Sequence, residues 1–303
     1  MKFSIVTPVY NSEKYIAETI ESVLSQEGDF EIEYIVQDGG SSDRTGEVVQ
    51  TYINCVKSGD YPIHCNKISM QYFSEKDNGM YDAIEKGFSQ STGDIMAYIN
   101  ADDKYLPGAF AAVASVFSTY PEIEWVKGIS ELCDESGRLM SKGSCYAYRR
   151  SWVTKGIYGR SAPFIQQESV FWKKSLWENA KPSLSSFRLA GDYALWKSFA
   201  SKEALWSLNR RVSIFRKHPR QLSSSMQEYR LEQEKIAPHN FFLEKRVVLF
   251  FSLRRLLKLD PRGIITQILF FVFFPFCRKE WYIDFDAQGE PLKKRTSSYI
   301  AQK

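Results

Sequence analysis

Residues 96–105, MAYINADDKY, place two adjacent carboxylates at the end of an apolar run. The run predicts a buried strand, so Asp102 and Asp103 are expected where that strand leaves the core. Neighbouring like charges repel, which raises the cost of ionisation unless a cation neutralises them. An isolated pair of this kind usually lies in a solvated turn. Its interpretation therefore depends on what the rest of the chain brings to the same place.

Polar residues also end three other predicted strands. The first strand ends at Thr7–Asn11, the second at Asp38 and the third at Glu75–Asp77. In a parallel sheet the carboxyl ends of the strands lie along one edge, where open α/β sheets bind their ligands. Each terminus alone fits an ordinary turn, but their common placement predicts one acidic crevice.

An acidic crevice restricts the ligands that fit it. Carboxylates repel a free diphosphate, whereas Mg²⁺ or Mn²⁺ accepts carboxylate oxygens on one side and phosphate oxygens on the other. Such an ion also stabilises the charge that develops on a departing diphosphate. The pattern therefore predicts a nucleoside-diphosphate donor, with Mg²⁺ or Mn²⁺ as the cofactor.

The elements that carry these residues alternate between strand and helix. Apolar, β-branched runs predict strands at 3–9, 31–40, 69–75 and 94–103. Helical periodicity predicts helices at 12–26, 42–56, 80–90 and 106–120. Ser12 is expected to cap the first helix, and Ser42 or Asp43 the second. This alternation predicts an α/β fold with a mostly parallel sheet covered by helices on both faces.

Composition sets broad limits on function. The chain has 303 residues, 44% hydrophobic composition and a net charge of +4, so it is an ordinary globular protein with no case for a nucleic-acid partner. Its five scattered cysteines include no CxxC pair and are expected to be reduced thiols. The N-terminal apolar run is too short for a signal peptide, so the catalytic part is expected in the cytoplasm.

Six stretches, taken in order, resemble the family 2 glycosyltransferases, which are inverting sugar-nucleotide enzymes with the GT-A fold. The matching stretches are TPVYN (7–11), VQDGGSSDRT (36–45), SEKDNGMYDAIEKG (74–87), INADDKY (99–105), QQESVFWKKSLWE (166–178) and LAGDYALW (189–196). The resemblance covers about residues 1–225. It implies an enzyme of the kind that acts in bacterial surface polysaccharide assembly.

The resemblance implies a Rossmann-like nucleotide-binding half at 1–105 fused to an acceptor half at 106–235. It also implies donor contacts from Thr7, Pro8, Tyr10, Asn11, Asp38, Asp77, Asn100, Ala101 and Asp102. The family's metal motif falls on 100–103, where many members have Asp at the position of Asn100. The metal ion is therefore assigned to Asp102, Asp103 or both, and Asn100 is expected to hydrogen-bond the ribose or a phosphate.

The resemblance further implies that Asp192 is the catalytic base. Inversion needs a carboxylate that takes the proton from the acceptor hydroxyl as this attacks the anomeric carbon. The alternative is that Asp192 only caps the helix that begins there. His218 is expected to be a further metal ligand or a charge partner of the leaving group, with a surface histidine as the alternative. Gln167 and Glu168 are expected to line the acceptor side.

The end of the chain has a different character. Residues 236–303 are expected to form a helical extension in which Val247–Leu259 is an amphipathic helix with basic residues at its end. The apolar run 264–277 is shorter than the roughly 20 residues of a spanning helix. This segment is therefore expected to lie in the interface of the membrane's inner face. The alternative is that it packs on the catalytic core or on a second subunit. The tail, 291–298, is expected to be disordered.

These observations predict an inverting transferase that moves a sugar from a UDP- or GDP-linked donor to a saccharide or lipid-linked saccharide hydroxyl. A sugar-nucleotide pyrophosphorylase or a dehydrogenase needs a glycine-rich loop after the first strand, and TPVYNSEKY contains no glycine. A non-catalytic saccharide-binding or scaffold protein is the remaining alternative. Asn100 supports that alternative, whereas the chain retains the carboxylates that oppose it: Asp38, Asp102, Asp103 and Asp192.

Overall fold

A single mixed sheet of eleven strands forms the centre of the chain. The computed structural model describes residues 1–180, 183–219, 221, 225–260, 263–277, 279–296 and 299–301. The strands are β1 Lys2–Val9, β2 Gly28–Asp38, β3 Cys65–Ser74, β4 Ile95–Tyr98, β5 Lys104–Tyr105, β6 Trp125–Cys133, β7 Leu139–Ser141, β8 Val170–Lys173, β9 Trp206–Arg216, β10 Glu280–Phe285 and β11 Pro291–Thr296.

Helices cover this sheet, as the strand–helix alternation predicts. They are α1 Ile16–Leu24, α2 Thr45–Ser58, α3 Met80–Ser89, α4 Ala109–Thr119, α5 Arg150–Thr154, α6 Lys174–Ala180, α7 Gly191–Lys202, α8 Met226–Ile236, α9 Phe241–Leu256 and α10 Ile264–Phe273. A 3₁₀ turn at Gln167–Ser169 precedes β8. The four strands and four helices predicted for the first 120 residues are confirmed, with shifted boundaries.

The strand order is β11-β10-β9-β6-β8-β4-β1-β2-β3, with β5 paired to β9 and β7 to β6. The first four strands pair in parallel. Since β8 is antiparallel to both β4 and β6, strand β6 and its parallel neighbours β9 and β10 run in the same direction as β1–β4. The carboxyl ends of β4 and β9 therefore reach the same edge of the sheet.

β1 is buried from Phe3 to Val9 because helices pack on both of its faces. Phe3 and Ile5 belong to the core under α1, α2 and α4, whereas Val6 packs with α3 on the opposite face. A strand buried on two sides is expected to be apolar throughout rather than alternating. This explains why the sequence FSIVTPV contains no regular polar positions.

The first helix begins later than its sequence predicts. α1 begins at Ile16, and the Ser12 carbonyl accepts hydrogen bonds from the amides of Tyr15 and Ile16. The Ser12 hydroxyl donates to the Tyr10 carbonyl, so its role is in the loop and the predicted cap is wrong. For α2, the Asp43 carboxylate accepts from the Thr45 amide at 3.0 Å, close to where a cap was expected.

The final segment is not helical throughout, which corrects the prediction for 236–303. β10 pairs in parallel with β9, and β11 pairs antiparallel with β10. Residues 291–296 were expected to be disordered, yet they form the edge strand; Ser297 and Ser298 lie outside the described residues. Charged residues are common on edge strands because they discourage pairing with other chains. Their presence here hid the strand from the sequence pattern.

The helices α9 and α10 pack on the catalytic core with only one face. Val247, Phe250, Phe270 and Phe274 are buried in the core cluster on the α3 side of the sheet. The opposite faces leave large apolar side chains exposed: Phe241, Phe242, Val248, Leu249, Leu256, Leu257, Ile264, Ile265, Ile268, Phe271 and Val272. Within the described ranges, no helix combines the length and hydrophobicity required to span a bilayer.

Candidate functional site

The loops that follow β1 and β2 are tied to each other at the carboxyl edge. Asn11, with a φ of 48°, accepts a hydrogen bond from the Ser42 amide at its Oδ1, and its own amide donates to the Ser41 hydroxyl, both at 2.8 Å. Tyr10 projects from this pair of loops and is 64% exposed. The predicted donor loop therefore presents Tyr10 and Asn11 to solvent.

The side chains of Thr7 and Pro8 do not line that surface. Both residues are buried, and the Thr7 hydroxyl accepts a hydrogen bond from the Tyr34 hydroxyl at 3.0 Å. They lie in the buried part of β1, which carries the loop that follows it. Ala101 is also buried. Donor contacts from these three residues stay a prediction, and their burial restricts such contacts to the backbone.

Asp38 organises the loop after β2. Its Oδ1 accepts from the amide and hydroxyl of Ser41, and its Oδ2 accepts from the hydroxyls of Tyr72 and Ser74, at 2.6–2.9 Å. Burial acts to raise the pKa of Asp38, but these hydrogen bonds outweigh it and hold the pKa below its ordinary value. The contact of Asp38 with a base or ribose stays a prediction.

Asp77 lies against the same loop. A Cβ atom at Gly39 would lie 2.6 Å from Asp77 Oδ2, so only glycine permits this approach. Asp77 Oδ1 accepts from the Gly79 amide at 2.9 Å. The DNG turn and the loop after β2 are thereby joined, as the common placement of strand ends predicts.

The two adjacent carboxylates after β4 point in different directions. Asp103 is buried and accepts from the Arg216 amide at 2.9 Å and from Gln167 Nε2 at 3.3 Å. Burial and the neighbouring Asp102 raise the pKa of Asp103 well above its ordinary value. Asp102 is half-buried, and its Oδ2 lies 2.8 Å from His218 Nε2. The structure thus brings Asp102 and His218 together and turns Asp103 inward.

Asn100 holds an unused acceptor beside this pair. Its Oδ1 is buried, and no group among the described residues donates a hydrogen bond to it. Buried polar atoms are normally paired, so an orphan next to a solvent-facing carboxylate indicates a position that a ligand donor completes. This fits the expectation that Asn100 bonds a ribose hydroxyl.

Arg216 is the residue of this region that the sequence interpretation missed. Its buried guanidinium donates to the carbonyls of Asp102 and Glu135 and to the Glu18 carboxylate, at 2.7–3.1 Å. It therefore holds the chain around Asp102 against the end of β9. The basic run FRKHPR was the available signal, but the sequence alone did not show that one of its arginines is buried. We call Asn100–Asp103 with Arg216 and His218 the metal-side rim.

Asp192 lies in the first turn of α7. Gly191, directly before it, packs on the Tyr81 ring so closely that a Cβ atom would lie 2.6 Å from ring carbons. Asp192 Oδ1 accepts from the Tyr193 amide at 2.7 Å and from the Tyr229 hydroxyl at 3.0 Å. The N-cap position belongs to Ala190, so the alternative that Asp192 only caps this helix is not supported.

The groups that donate hydrogen bonds to Asp192 are neutral, and the Glu168 charge also raises its pKa. Burial raises its pKa from an ordinary 3.8 to about 7, although the Tyr193 amide and the hydroxyls of Tyr229 and Tyr81 act in the opposite direction. A general base is most effective when its pKa lies near the working pH. We call Asp192 with Tyr81, Tyr229 and Glu232 the base pocket.

The turn Gln167–Ser169 lies between the rim and the base pocket. Gln167 contacts Asp103, while Glu168 is buried and accepts a hydrogen bond from the Ser130 hydroxyl. Burial raises the pKa of Glu168, and its charge also acts on Asp192. Glu168 is therefore held inside the protein by Ser130, and its place on the acceptor side stays a prediction. Gln167 is half-buried and keeps an unpaired Oε1 among the described groups.

The sequence matches the family model described as glycosyl transferase family 2 over residues 4–166. An uncharacterized glycosyltransferase of Nostoc sp. is 29% identical over 119 residues, which is 39% of this chain and 34% of the relative. The poly(ribitol-phosphate) beta-N-acetylglucosaminyltransferase TarS of Staphylococcus aureus is 30% identical over 106 residues, or 34% of this chain and 16% of TarS. These matches span about a third or less of the relatives' length.

The fold is also that of a solved relative. The structure of S. aureus TarS 1–349 in complex with UDP-GlcNAc superimposes with a TM-score of 0.57 and 17% identity, covering 89% of this chain and 81% of that one. At this identity the likeness concerns the fold alone. The mixed sheet flanked by helices is thus the arrangement found in GT-A glycosyltransferases, as predicted.

Proposed function

The chain belongs to glycosyl transferase family 2, and on that premise we propose that it moves one sugar, with inversion, from a nucleoside-diphosphate donor to a saccharide hydroxyl. The observation that carries this proposal is Asp192, a carboxylate with a pKa of about 7 at the start of α7. The turn Gln167–Ser169 joins its surroundings to the metal-side rim.

In the proposed reaction, the Asp192 carboxylate takes the proton of the acceptor hydroxyl. The hydroxyl oxygen bonds to the anomeric carbon as the bond from that carbon to the diphosphate oxygen breaks. The electron pair of the broken bond leaves with the diphosphate on the opposite face, through a transition state with oxocarbenium character. Asp192 Oδ1 accepts hydrogen bonds from Tyr193 and Tyr229, so Oδ2 is the oxygen assigned to the proton.

The rim supplies donors suited to Mg²⁺ or Mn²⁺. The described residues include no group of three or more His, Cys, Asp or Glu side chains arranged around an ion. Asp102 and His218 offer one carboxylate oxygen and one imidazole nitrogen, a set that Mn²⁺ accepts and whose remaining positions phosphate oxygens and water would fill. When bound, the ion neutralises charge on the departing diphosphate. Arg216 holds the Asp102 backbone for this task.

The donor proposed is a UDP- or GDP-sugar. Tyr10 and Asn11 are the exposed residues of the first loop, and Asn100 Oδ1 offers an acceptor to a ribose hydroxyl. UDP-GlcNAc is the first donor to test because it is the ligand in the TarS complex.

A thermal-shift panel of nucleotide sugars, with and without Mn²⁺, tests the donor. We expect one nucleotide class to raise the melting temperature, and to do so more strongly with the ion. Asp192→Asn should keep this shift but lose sugar transfer by at least about a thousandfold, because the amide cannot accept the proton. Transfer at the wild-type rate in that variant would remove Asp192 from its proposed role.

We further propose that the acceptor is lipid-linked and that the chain lies on the inner face of the cell membrane. The exposed apolar residues of α9 and α10 are accompanied by exposed Lys245, Arg255 and Lys258. Apolar side chains with basic neighbours are suited to an anionic lipid surface, where burial and charge attraction act together.

Vesicle co-sedimentation tests this surface. We expect binding to phosphatidylcholine vesicles that contain phosphatidylglycerol, and much weaker binding to phosphatidylcholine alone. Ile265→Ser combined with Phe271→Ser should abolish binding, whereas Met140→Ser, an exposed apolar position on β7, should not. A change from dimer to monomer in the double variant, without any loss of vesicle binding, would show that a second copy covers this face.

A further inference from the structure

One face of α8 is directed at the start of α7. Tyr229 and Glu232 are three residues apart, the spacing that places two side chains on the same side of a helix. Glu232 Oε2 accepts from the amides of Leu189 and Ala190, each at 2.8 Å, and its Oε1 accepts from the Arg188 amide at 3.2 Å. A single carboxylate therefore holds three consecutive backbone amides immediately before α7.

The last of these amides belongs to the helix end. The first amides of a helix have no acceptor within the helix, and its N-terminus favours negative charge. Ala190 occupies the N-cap position of α7, and Arg188 and Leu189 lie in the segment before it. Glu232 supplies the Ala190 amide with an acceptor and places a negative charge at the start of α7. The Leu189 carbonyl is held as well, since it accepts from the Tyr81 hydroxyl at 2.9 Å.

Tyr229 acts on the carboxylate itself. Its hydroxyl donates to Asp192 Oδ1, the same oxygen that accepts from the Tyr193 amide. Two donors on one oxygen fix the rotation of the carboxylate. The other oxygen, Oδ2, accepts neither of these bonds.

α8 has anchors that do not involve Asp192. Gln233 is fully buried, and its Nε2 donates to the Tyr158 carbonyl at 2.7 Å. Arg160 Nη2 donates to the Ala237 carbonyl at 2.8 Å, just beyond the helix end. A support that is itself fixed can hold a reactive group in a narrow range of positions.

We propose that Tyr229 and Glu232 are positioning residues for sugar transfer, Glu232 by holding the backbone that carries Asp192 and Tyr229 by orienting its carboxylate. This inference rests on Asp192 being the base, and it adds α8 to the machinery of the reaction. Holding a reacting group within a fraction of an ångström is worth a large part of a rate enhancement.

Several titratable groups act on Asp192 or on its neighbours. Tyr81 from α3, Tyr98 from β4, Tyr229 from α8 and Glu168 from the 3₁₀ turn interact with Asp192, and Glu232 from α8 interacts with Tyr81. Burial raises the pKa of each of the three tyrosines well above its ordinary value, so their hydroxyls keep their protons near neutral pH. A label confined to aspartate separates Asp192 from the two glutamates.

Carboxyl ¹³C NMR of the full chain, labelled at aspartate Cγ, measures this titration without any ligand. Asp192→Asn identifies the resonance. Tyr229→Phe removes only one hydroxyl, and we expect it to raise the pKa of Asp192 by roughly one pH unit because a donor to the charged form is lost. Glu234→Gln, on a different side of α8, is the matched control and should leave the titration unchanged.

Hydrogen exchange measures the backbone role of Glu232. Glu232→Gln keeps an acceptor oxygen but loses the charge, and we expect the amides of residues 188–190 to exchange about tenfold faster, with the Glu234→Gln control unchanged. For the donor selected in the thermal-shift panel, both Tyr229→Phe and Glu232→Gln should lower kcat about tenfold and leave the donor KM unchanged.

An unmoved Asp192 titration in Tyr229→Phe, together with unchanged exchange in Glu232→Gln, would overturn the inference. Its failure is distinguishable from that of the proposed function. If Asp192→Asn retains transfer, the base assignment is wrong; if Asp192→Asn is inactive while both α8 variants behave as wild type, only the positioning roles are wrong.

Discussion

The metal-side rim and the base pocket both interact with the turn Gln167–Ser169, but their carboxylates have different hydrogen-bond partners. At the rim, a buried guanidinium and an imidazole accompany Asp102. In the base pocket, Asp192 meets tyrosine hydroxyls and a backbone amide, and its pKa is raised to about 7. The two carboxylates thus have different neighbours, and the proposed reaction gives them different tasks.

This difference indicates how one sheet edge supports two kinds of chemistry. A half-buried carboxylate beside an imidazole, on a backbone held by a guanidinium, offers oxygen and nitrogen donors that suit a metal ion. Neutral donors around a buried carboxylate leave it near the point of protonation, which suits a base. Substitutions in the metal-side rim and in the base pocket should therefore have separate effects.

Replacing Arg216 by Met should destabilise the chain by about 3–5 kcal/mol, because a buried network loses its charged donor. Urea unfolding measures the change. Arg211→Met is the matched control on the same strand: its pair with Glu131 is partly exposed, so its loss should cost less than about 1 kcal/mol. Equal costs for the two variants would show that Arg216 is no more than a surface charge.

Asp102→Asn and His218→Gln should each abolish the extra thermal shift that Mn²⁺ adds to donor binding. Each should also lower kcat by about a hundredfold, or about 2.7 kcal/mol, if they hold the ion. Asp103→Asn makes the same chemical change at the next residue, but the Asp103 carboxylate points inward and accepts from the Arg216 amide. The Asp103→Asn variant should therefore keep the Mn²⁺ response. Loss of the response in Asp103→Asn alone would reverse the assignment.

Transfer by the wild-type chain should rise about tenfold per pH unit below pH 7 and level off above it. The sign follows from the base, since only the ionised form of Asp192 accepts a proton and its pKa is about 7. A pH–rate profile of kcat/KM at saturating Mn²⁺ measures this limb. A profile that is flat between pH 5 and 8 would contradict the raised pKa.

Asp192→Asn should raise the melting temperature at pH 8 by roughly 2–4 °C, the effect of about 1 kcal/mol. The folded pKa of Asp192 lies above its ordinary 3.8, so the protonated form contributes stability that is complete below pH 3.8 and is lost as pH rises to about 7. An amide avoids that loss. At a pH below 3.8 the gain should be absent, and a gain of the same size at both pH values would assign it to packing instead.

Much of the donor half follows from local patterns. The apolar run of β1 and the periodic face of α1 predicted their elements, and the alternation of strands and helices predicted a shared carboxyl edge. The motifs also marked Asp102 and Asp192 as residues of interest. Helix boundaries were less accurate, because Ser12 fits a cap by composition but its hydroxyl bonds within a loop.

The chain's last strands show where local patterns fail. Residues 291–296 contain three basic side chains and read as a solvated tail, yet they complete the sheet because β10 offers an edge to pair with. β10 itself pairs with β9, a strand about seventy residues earlier, and that long-range pairing leaves no signal in the local pattern of 280–296. The direction of β8 also had no local signal. Because β8 runs antiparallel to β4 and β6, the chain reaches the opposite edge of the sheet, and β9 then runs to the edge where Asp102 lies.

The sequence itself determined the order of the elements, the acidic strand ends and the residue types available for catalysis, because these depend on neighbours within a few positions. The tertiary structure decided which of Asp102 and Asp103 faces outward and that the Asp38 carboxylate accepts hydrogen bonds from its own loop. It also decided that Asp192 has a pKa of about 7. Burial and hydrogen bonding set each of these outcomes. Both depend on groups that arrive from distant parts of the chain, such as Arg216 and Tyr229.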